Sequence, residues 1–244
     1  MSLEIYPLIL GETIDDESTL LYLENPGKTR KTAFYSFYIK GAKVPILVDT
    51  FIRDPSKPNW GNPVEIKPGW GFEEQLRKVG LKRDDVGIIV HSHLHFDHSG
   101  NDGLFPNAKI YVQSRELKYA ATMSDPRSLQ LFDKRDIADL VGTFRERLVT
   151  IDGEQEIADG VKLVLVGGHT AGSQAVYVET QKGTAIITGD ACYLYDNIER
   201  NIPMGIFFNY EECIKAMDKF RREGKFIIVS HDLRVLERSP KTPP

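Results

Sequence analysis

Hydrophobic positions occur in short runs broken by turn residues, and the first quarter of the chain reads almost entirely as strand. Residues 5–10, 19–24, 34–40 and 44–48 are rich in β-branched and aromatic side chains and are separated by Gly11, by Pro26-Gly27 and by Gly41-Ala42-Lys43. This is the pattern of hairpins laid along one sheet. Segment 54–71 differs, because Pro55, Pro58, Pro63 and Pro68 stand among Gly61, Gly69 and Gly71, with Trp60 and Trp70. Such a composition is hostile to helix and to interior strand, so a long aromatic-bearing loop is expected. Phe72, Leu76 and Val79 recur at helical spacing before Gly80, and Asp84-Asp85 leads into the apolar run 86–90, a helix feeding a buried strand. Further strands are predicted over 109–112, 161–166, 175–178, 185–188 and 226–229, and helices over 114–121, 128–140 and 210–222. In the last helix Ile214, Met217 and Phe220 make an apolar stripe, which reads as core. Helices and strands alternate only in part. The fold class is therefore α/β, and an αββα sandwich of two mixed sheets flanked by helices suits the pattern better than a doubly wound sheet.

Composition narrows the partners. The 244 residues carry 31 Lys and Arg against 35 Asp and Glu, a net charge of -4, which gives no global electrostatic reason to bind nucleic acid or anionic lipid. With 41% hydrophobic and 27% charged residues the chain is globular, and its length suits one domain over 1–244 that buries roughly 70–75% of its unfolded surface. No apolar run is long enough to span a bilayer. The start lacks a basic n-region and its apolar run is broken by Pro7, so a cytoplasmic location and no membrane contact are expected. Cys192 and Cys213 are too few to staple a scaffold and are read as free thiols. Oligomeric state is left open, with a homodimer among the options.

The strongest local signal is His91-Ser92-His93-Leu94-His95-Phe96-Asp97-His98-Ser99-Gly100, directly after the apolar run 86–90. In extended chain, residues two apart face the same way, so His93 and His95 can aim at one point, with Asp97 next in phase and His98 turned in by the bend before Gly100. Three more candidates have the same setting: His169, Asp190 and His231 each stand just past a predicted strand. Ligand sites in α/β proteins collect at strand carboxyl ends, so four strands would deliver side chains to one rim. A lone histidine is ordinarily a surface or packed residue, yet five of the six histidines occupy these slots. Imidazole and carboxylate donors suit Zn²⁺, and also Mn²⁺, Fe²⁺ or Co²⁺. His91 is one imidazole more than two metals need and reads as support or strand-end packing.

The run His93-Leu94-His95-Phe96-Asp97-His98, followed by His169, Asp190 and His231 in that order, resembles the metallo-β-lactamase superfamily across nearly the whole chain. That resemblance implies two divalent metal ions, with His93, His95 and His169 on the first, Asp97, His98 and His231 on the second, and Asp190 bridging. The usual Gly-His-Thr-Pro-Gly-Ser is Gly168-His169-Thr170-Ala171-Gly172-Ser173 here, a change expected to affect loop stiffness more than ligation. Asp49 stands where the superfamily's aspartate supports a ligand histidine, but the usual Asp-Thr-Gly is Asp49-Thr50-Phe51, which bears on the adjoining loop. Asp190 already fills the slot in which some members use cysteine, so Cys192 is read as inert. Tyr193, three residues after Asp190, together with residues 92–100, resembles the N-acyl-homoserine lactone lactonases, the quorum-quenching lactonases. The implied activity is opening of a small-molecule lactone by hydroxide held on the metals. In that group the phenol binds the lactone carbonyl and Phe96 lines the pocket; Asp97 is placed to orient the nucleophile and act as general acid.

Rivals are a thioesterase of glyoxalase II type, a phosphodiesterase, a β-lactamase and, from another class, a mono-iron persulfide dioxygenase. Against the last, every ligand for a second metal is present. A non-catalytic binding module is disfavoured by the same complete set. For the pocket walls the sequence offers Trp60, Trp70, Met204, Phe207 and Phe208, each equally readable as ordinary packing.

Overall fold

The computed structural model describes residues 2–58 and 61–239. Two sheets face one another. The first runs β1 (Glu4–Asp16), β2 (Thr29–Lys40), β3 (Ile46–Val48), β4 (Ile88–Val90), β5 (Lys109–Gln113), β6 (Leu148–Ile151), in that spatial order. β1, β2 and β3 pair antiparallel, and β3 to β6 pair parallel. The second sheet is ordered β11 (Phe226–Ile228), β10 (Gly183–Ile187), β9 (Gln174–Thr180), β8 (Val161–Leu165), β7 (Glu154–Ala158), with only β10–β11 parallel. Both sheets are mixed, as expected.

Alternation along the strands decides what each face covers. In β3, Ile46 and Val48 point into the core between the sheets while Leu47 points to the other face; in β4, Ile88 and Val90 divide from Ile89 in the same way. The outer face of the first sheet meets Phe72 and Leu76 of α2 (Phe72–Lys78), Ala120 of α3 (Ser114–Thr122) and Leu140 of α4 (Lys134–Val141). The second sheet is covered by the predicted stripe of α6 (Tyr210–Glu223), with Met217 and Phe220 buried and Ile214 partly buried, and by Ala216 beside it. Burying each large side chain contributes about 1.5–3 kcal/mol. No helix among the described residues is long and apolar enough to cross a membrane.

Two predicted elements are corrected. Residues 19–24 are not a strand: Asp16 accepts from the Ser18 N–H at 2.9 Å and starts the short helix α1 (Glu17–Leu20). Leu23 and Asn25 then take left-handed backbone. Capping and turn chemistry override the β propensity of this segment, and Leu20 and Leu21 pack on Tyr193, Leu194 and Met204 instead of joining the sheet. The helix expected over 128–140 is divided into a 3-10 turn at Ser128–Leu131 and α4, because Asp133 caps α4 by accepting from the Arg135 N–H. Strands β6 and β7 and helices α5 (Tyr195–Arg200) and α7 (Val235–Arg238) escaped the hydrophobic pattern. β7 is a mostly exposed edge strand, so little apolar alternation marks it. Among its described residues, the loop over 54–71 carries a single bridge, Glu65 to Glu12.

Candidate metal centre

Four strand ends converge. The chain leaving β4 supplies His93, His95, Asp97 and His98; that leaving β8 supplies His169; β10 leads to Asp190, and β11 to His231. Their donor atoms form two groups, His93, His95, His169 and Asp190, and Asp97, His98, Asp190 and His231, each within 4.8 Å of one another. Asp190 belongs to both. Its Oδ2 lies 3.6 Å from His93 Nε2 and 3.4 Å from His169 Nε2, while its Oδ1 lies 3.3 Å from His98 Nε2 and 3.0 Å from His231 Nε2. Asp97 Oδ2 is 3.3 Å from His98 Nε2 and 3.7 Å from His231 Nε2.

Four of the five rings are aimed by what the nitrogen turned away from the site meets. The Nδ1–H of His169 donates to the Ile206 carbonyl at 2.8 Å and that of His231 to the Ala33 carbonyl at 2.9 Å. His98 Nδ1 meets Asp49 Oδ2 at 2.8 Å, and His93 Nδ1 meets the Ser92 hydroxyl at 3.1 Å. Such contacts leave Nε2 free to point inward. Asp49 also accepts from the backbone N–H and the hydroxyl of Ser92, both at 2.7 Å. Asp49 and Phe51 both have left-handed backbone, with φ of 64° and 61°. That departure from Asp-Thr-Gly is accommodated because the Thr50 N–H donates to the His98 carbonyl at 2.7 Å and the Gly100 N–H to the Phe51 carbonyl at 2.8 Å, ties that hold an otherwise costly conformation beside the site.

The electrostatics ask for a cation. Burial, and then neighbouring positive charge, keep His93 and His95 well below the usual imidazole range, and burial lowers His169; neutral imidazole is the ligand form. Burial pulls His98 and His231 down too, but Asp190 and Asp97 outweigh it, lifting His98 well above the ordinary value and His231 to about 8. Burial disfavours ionised Asp190, yet the surrounding histidines hold it well below the carboxylate range. Nε2 of His93, Nε2 of His98 and Oδ1 of Asp190 are buried without a hydrogen-bond partner. Buried unpaired polar atoms are costly, and these, divided between the two groups, are what divalent cations would satisfy. The residues fit that group.

Tyr193 stands over both groups. Its ring meets those of His169 and His231 edge-on, with centroids at 5.5 and 5.2 Å, and its hydroxyl is 3.5 Å from His169 Nδ1. Burial first, then the negative charges of Asp190 and Asp97, push its phenol well above the ordinary value, so it remains a proton donor. His91 is apart from both groups: buried, it meets Asp102 Oδ2 at 2.9 Å. Burial alone would lower it, but Asp102 and Asp49 raise it to about 10. Cys192 is buried and burial pushes its thiol well up, as expected of an inert side chain.

Tyr193, Asp190, His95, His231 and Asp97 open on a cleft that reaches solvent, and Phe96 lines it. The other expected walls need correction. Met204 is fully buried with Cys213, Sδ to Sγ 3.6 Å, because the turn after α5 folds it under Tyr193. Phe207 packs between Tyr22 and Tyr210, and Phe208 lies half-exposed on Tyr119. Trp70 lines a separate groove beside Phe72, since the 54–71 loop turns that end away from the rim. Trp60 lies outside the described residues. The walls are instead Leu20, Phe34, Val64, Leu131 and Ile206, with Thr13, Asp15 and Asn62 as a polar side. Half of these, Thr13, Asp15, Leu20 and Phe34, come from β1, α1 and β2, where the sequence reads them as ordinary sheet residues.

Comparison with known proteins agrees with this geometry. The model of the metallo-beta-lactamase superfamily matches residues 35–231. An N-acyl homoserine lactonase of Bacillus thuringiensis is 29% identical over 245 residues, covering 94% of this chain and 93% of the relative. The crystal structure of a quorum-quenching N-acyl homoserine lactone lactonase superposes with TM-score 0.82 at 27% identity, covering 99% of this chain and 97% of the other. That of a B. thuringiensis AiiA mutant with N-decanoyl-L-homoserine bound at the active site superposes with TM-score 0.81 at 25% identity, covering 97% and 96%. With the family pattern running through both sheets and all the converging strand ends, the chain belongs to the metallo-β-lactamase superfamily.

Proposed function

We propose that this chain is a dinuclear metal hydrolase that opens the ring of N-acyl-homoserine lactones or similar lactones, with quorum quenching as its setting. The observation that carries the reading is the division of Asp190 between two ligand groups with the Tyr193 hydroxyl beside them. It is supported by lactonase relatives that align over nearly the whole chain. His93, His95 and His169 would hold one ion, Asp97, His98 and His231 the other, and Asp190 would bridge. The nitrogen-rich donor set favours Zn²⁺. Such a pair of ions supplies a water-derived nucleophile at neutral pH and polarises a carbonyl.

The chain's own residues do the rest. Tyr193 donates from its phenol to the lactone carbonyl oxygen and to the oxyanion that replaces it. Asp97, at the cleft edge of the second group, takes the proton released from water and returns it to the ring oxygen as the acyl C–O bond breaks. Water is consumed and one hydroxy acid is made, with no redox change. The apolar side formed by Phe34, Val64, Phe96 and Leu131 suits an acyl arm, and Thr13, Asp15 and Asn62 suit a polar head.

A hydrolysis screen over acyl-homoserine lactones, other lactones, thioesters and phosphodiesters, with metal content measured on the same preparation, tests the reading. Lactones are expected to be turned over fastest, at about two ions per chain. Faster turnover of a thioester or phosphodiester than of every lactone would overturn the substrate assignment and leave the metal hydrolase.

A further inference from the structure

Glu116, the third residue of α3, is 1% exposed and belongs to neither ligand group. Its carboxylate enters the space between the two loops that carry the histidines of the first group. Oε1 accepts from the backbone N–H of Leu94, between His93 and His95, at 3.0 Å. Oε2 accepts from the Thr170 hydroxyl at 2.6 Å and from the Gly172 N–H at 2.8 Å, just beyond His169. Gly172 is pressed so closely on α3 that a Cβ there would collide with the Glu116 backbone. In the sequence Glu116 does not stand out, since a single acidic residue in the first turn of a helix is ordinary.

We propose that Glu116 is a positioning residue that joins these two loops and thereby sets His93, His95 and His169 for one cation. The inference rests on the two-metal reading above. His95 Nδ1 and His169 Nε2 come within 2.9 Å although 74 residues separate them, and Glu116 is bonded to the chain on both sides of that gap. Its two backbone partners can only donate, so both oxygens must accept. A carboxylate does this and an amide does not, because its NH₂ would face an N–H. The second group is aimed from elsewhere, His98 by Asp49 and His231 by the Ala33 carbonyl. Loss of Glu116 should therefore weaken one ion and spare the other.

Zn²⁺ alone, titrated into metal-free protein against a chromophoric chelator, gives the stepwise affinities of the wild type and of Glu116→Gln. Glu154→Gln, at an exposed ion pair with Lys162, controls for removal of a carboxylate. Expected for Glu116→Gln is a loss of about 10- to 100-fold in one step, the usual effect of removing a partner behind the ligands, with the other step and the control unchanged. Co²⁺ loading should show an altered visible spectrum for one site only. Unchanged affinities overturn the proposal. So does equal weakening of both steps with a lower melting temperature of the metal-free protein, which marks a role in folding alone. If Glu116→Gln does not fold, Thr170→Val removes one donor to the same carboxylate. It should weaken the same step by a smaller factor, and unchanged affinity there overturns the proposal. If the wild type binds a single ion, the two-metal reading fails, and Glu116 is judged on that ion: tenfold loss upholds its role, no loss overturns it.

Discussion

At the scale of single residues, two substitutions separate chemistry from scaffold. Tyr193→Phe keeps the ring that packs on His169 and His231 and removes one donor. A donor facing an oxyanion is worth about 10² to 10³ in rate, and metals sharing the task reduce that. The expected loss in kcat on a lactone is about 10- to 100-fold, with metal content unchanged, read by steady-state kinetics and elemental analysis. Asp97→Asn keeps size but removes the proton carrier, and general acid–base groups are worth about 10² to 10⁴. Turnover should fall by that range while the protein still folds, checked by kinetics beside circular dichroism; near-normal rates at full metal occupancy would refute the role. Asp97 could be singled out because the His-rich run that holds it is chemically improbable by chance, and Tyr193 through its resemblance to the lactonase tyrosine after Asp190. Glu116 could not, since its significance lies in which backbone donors surround it.

At the scale of elements, short strands followed at once by polar side chains make the site. β4 and β11 have three residues each, and their parallel neighbours hold both ends in register. α6 does a separate task. Its apolar stripe seals the second sheet, and Glu212 at its start accepts from the Gly168 N–H at 3.0 Å beside His169. Phe220 is fully buried in that stripe. Phe220→Ala should cost about 3–5 kcal/mol, by lost burial and the cavity left, seen as a lower urea midpoint with the same slope. The stripe was readable because helical periodicity survives in sequence, whereas the helix break at Asp133 depended on a single capping hydrogen bond.

At the scale of the molecule, the candidate site is a tie between two sheets. His93, His95, Asp97 and His98 leave the first sheet, and His169, Asp190 and His231 leave the second. Ions bound there would join layers that also meet through apolar packing and a few hydrogen bonds, such as that from the Gln113 amide to Gln174 Oε1 at 2.9 Å. At free metal one hundred times the dissociation constant, binding adds about 2.7 kcal/mol to stability. For a chain of this size that corresponds to about 5–10 °C. That is the contribution of one ion, so chelation should lower the melting temperature by at least that amount and restored Zn²⁺ should recover it, measured by calorimetry. A melting temperature indifferent to chelation would show that no ion spans the sheets.

What the sequence determined by itself is whatever depends on local spacing and on residue type. Aromatic and β-branched residues over 34–40 and the apolar run 86–90 mark strands, the stripe at Ile214, Met217 and Phe220 marks α6, and the crowding of His and Asp at strand ends marks a candidate metal site. Short-range periodicity carries that information because backbone geometry repeats every two or 3.6 residues. Tertiary structure alone decided which groups meet across long separations. It brought β1, β2 and α1 over the rim, so that Thr13, Asp15, Leu20 and Phe34 became the walls of the cleft. It also carried Met204, Phe207, Phe208 and Trp70 into packing elsewhere. Apolar side chains look alike in sequence whether they line a cleft or fill a core, because the hydrophobic effect has no direction. Ligand side chains are directional and chemically rare, and they announce themselves.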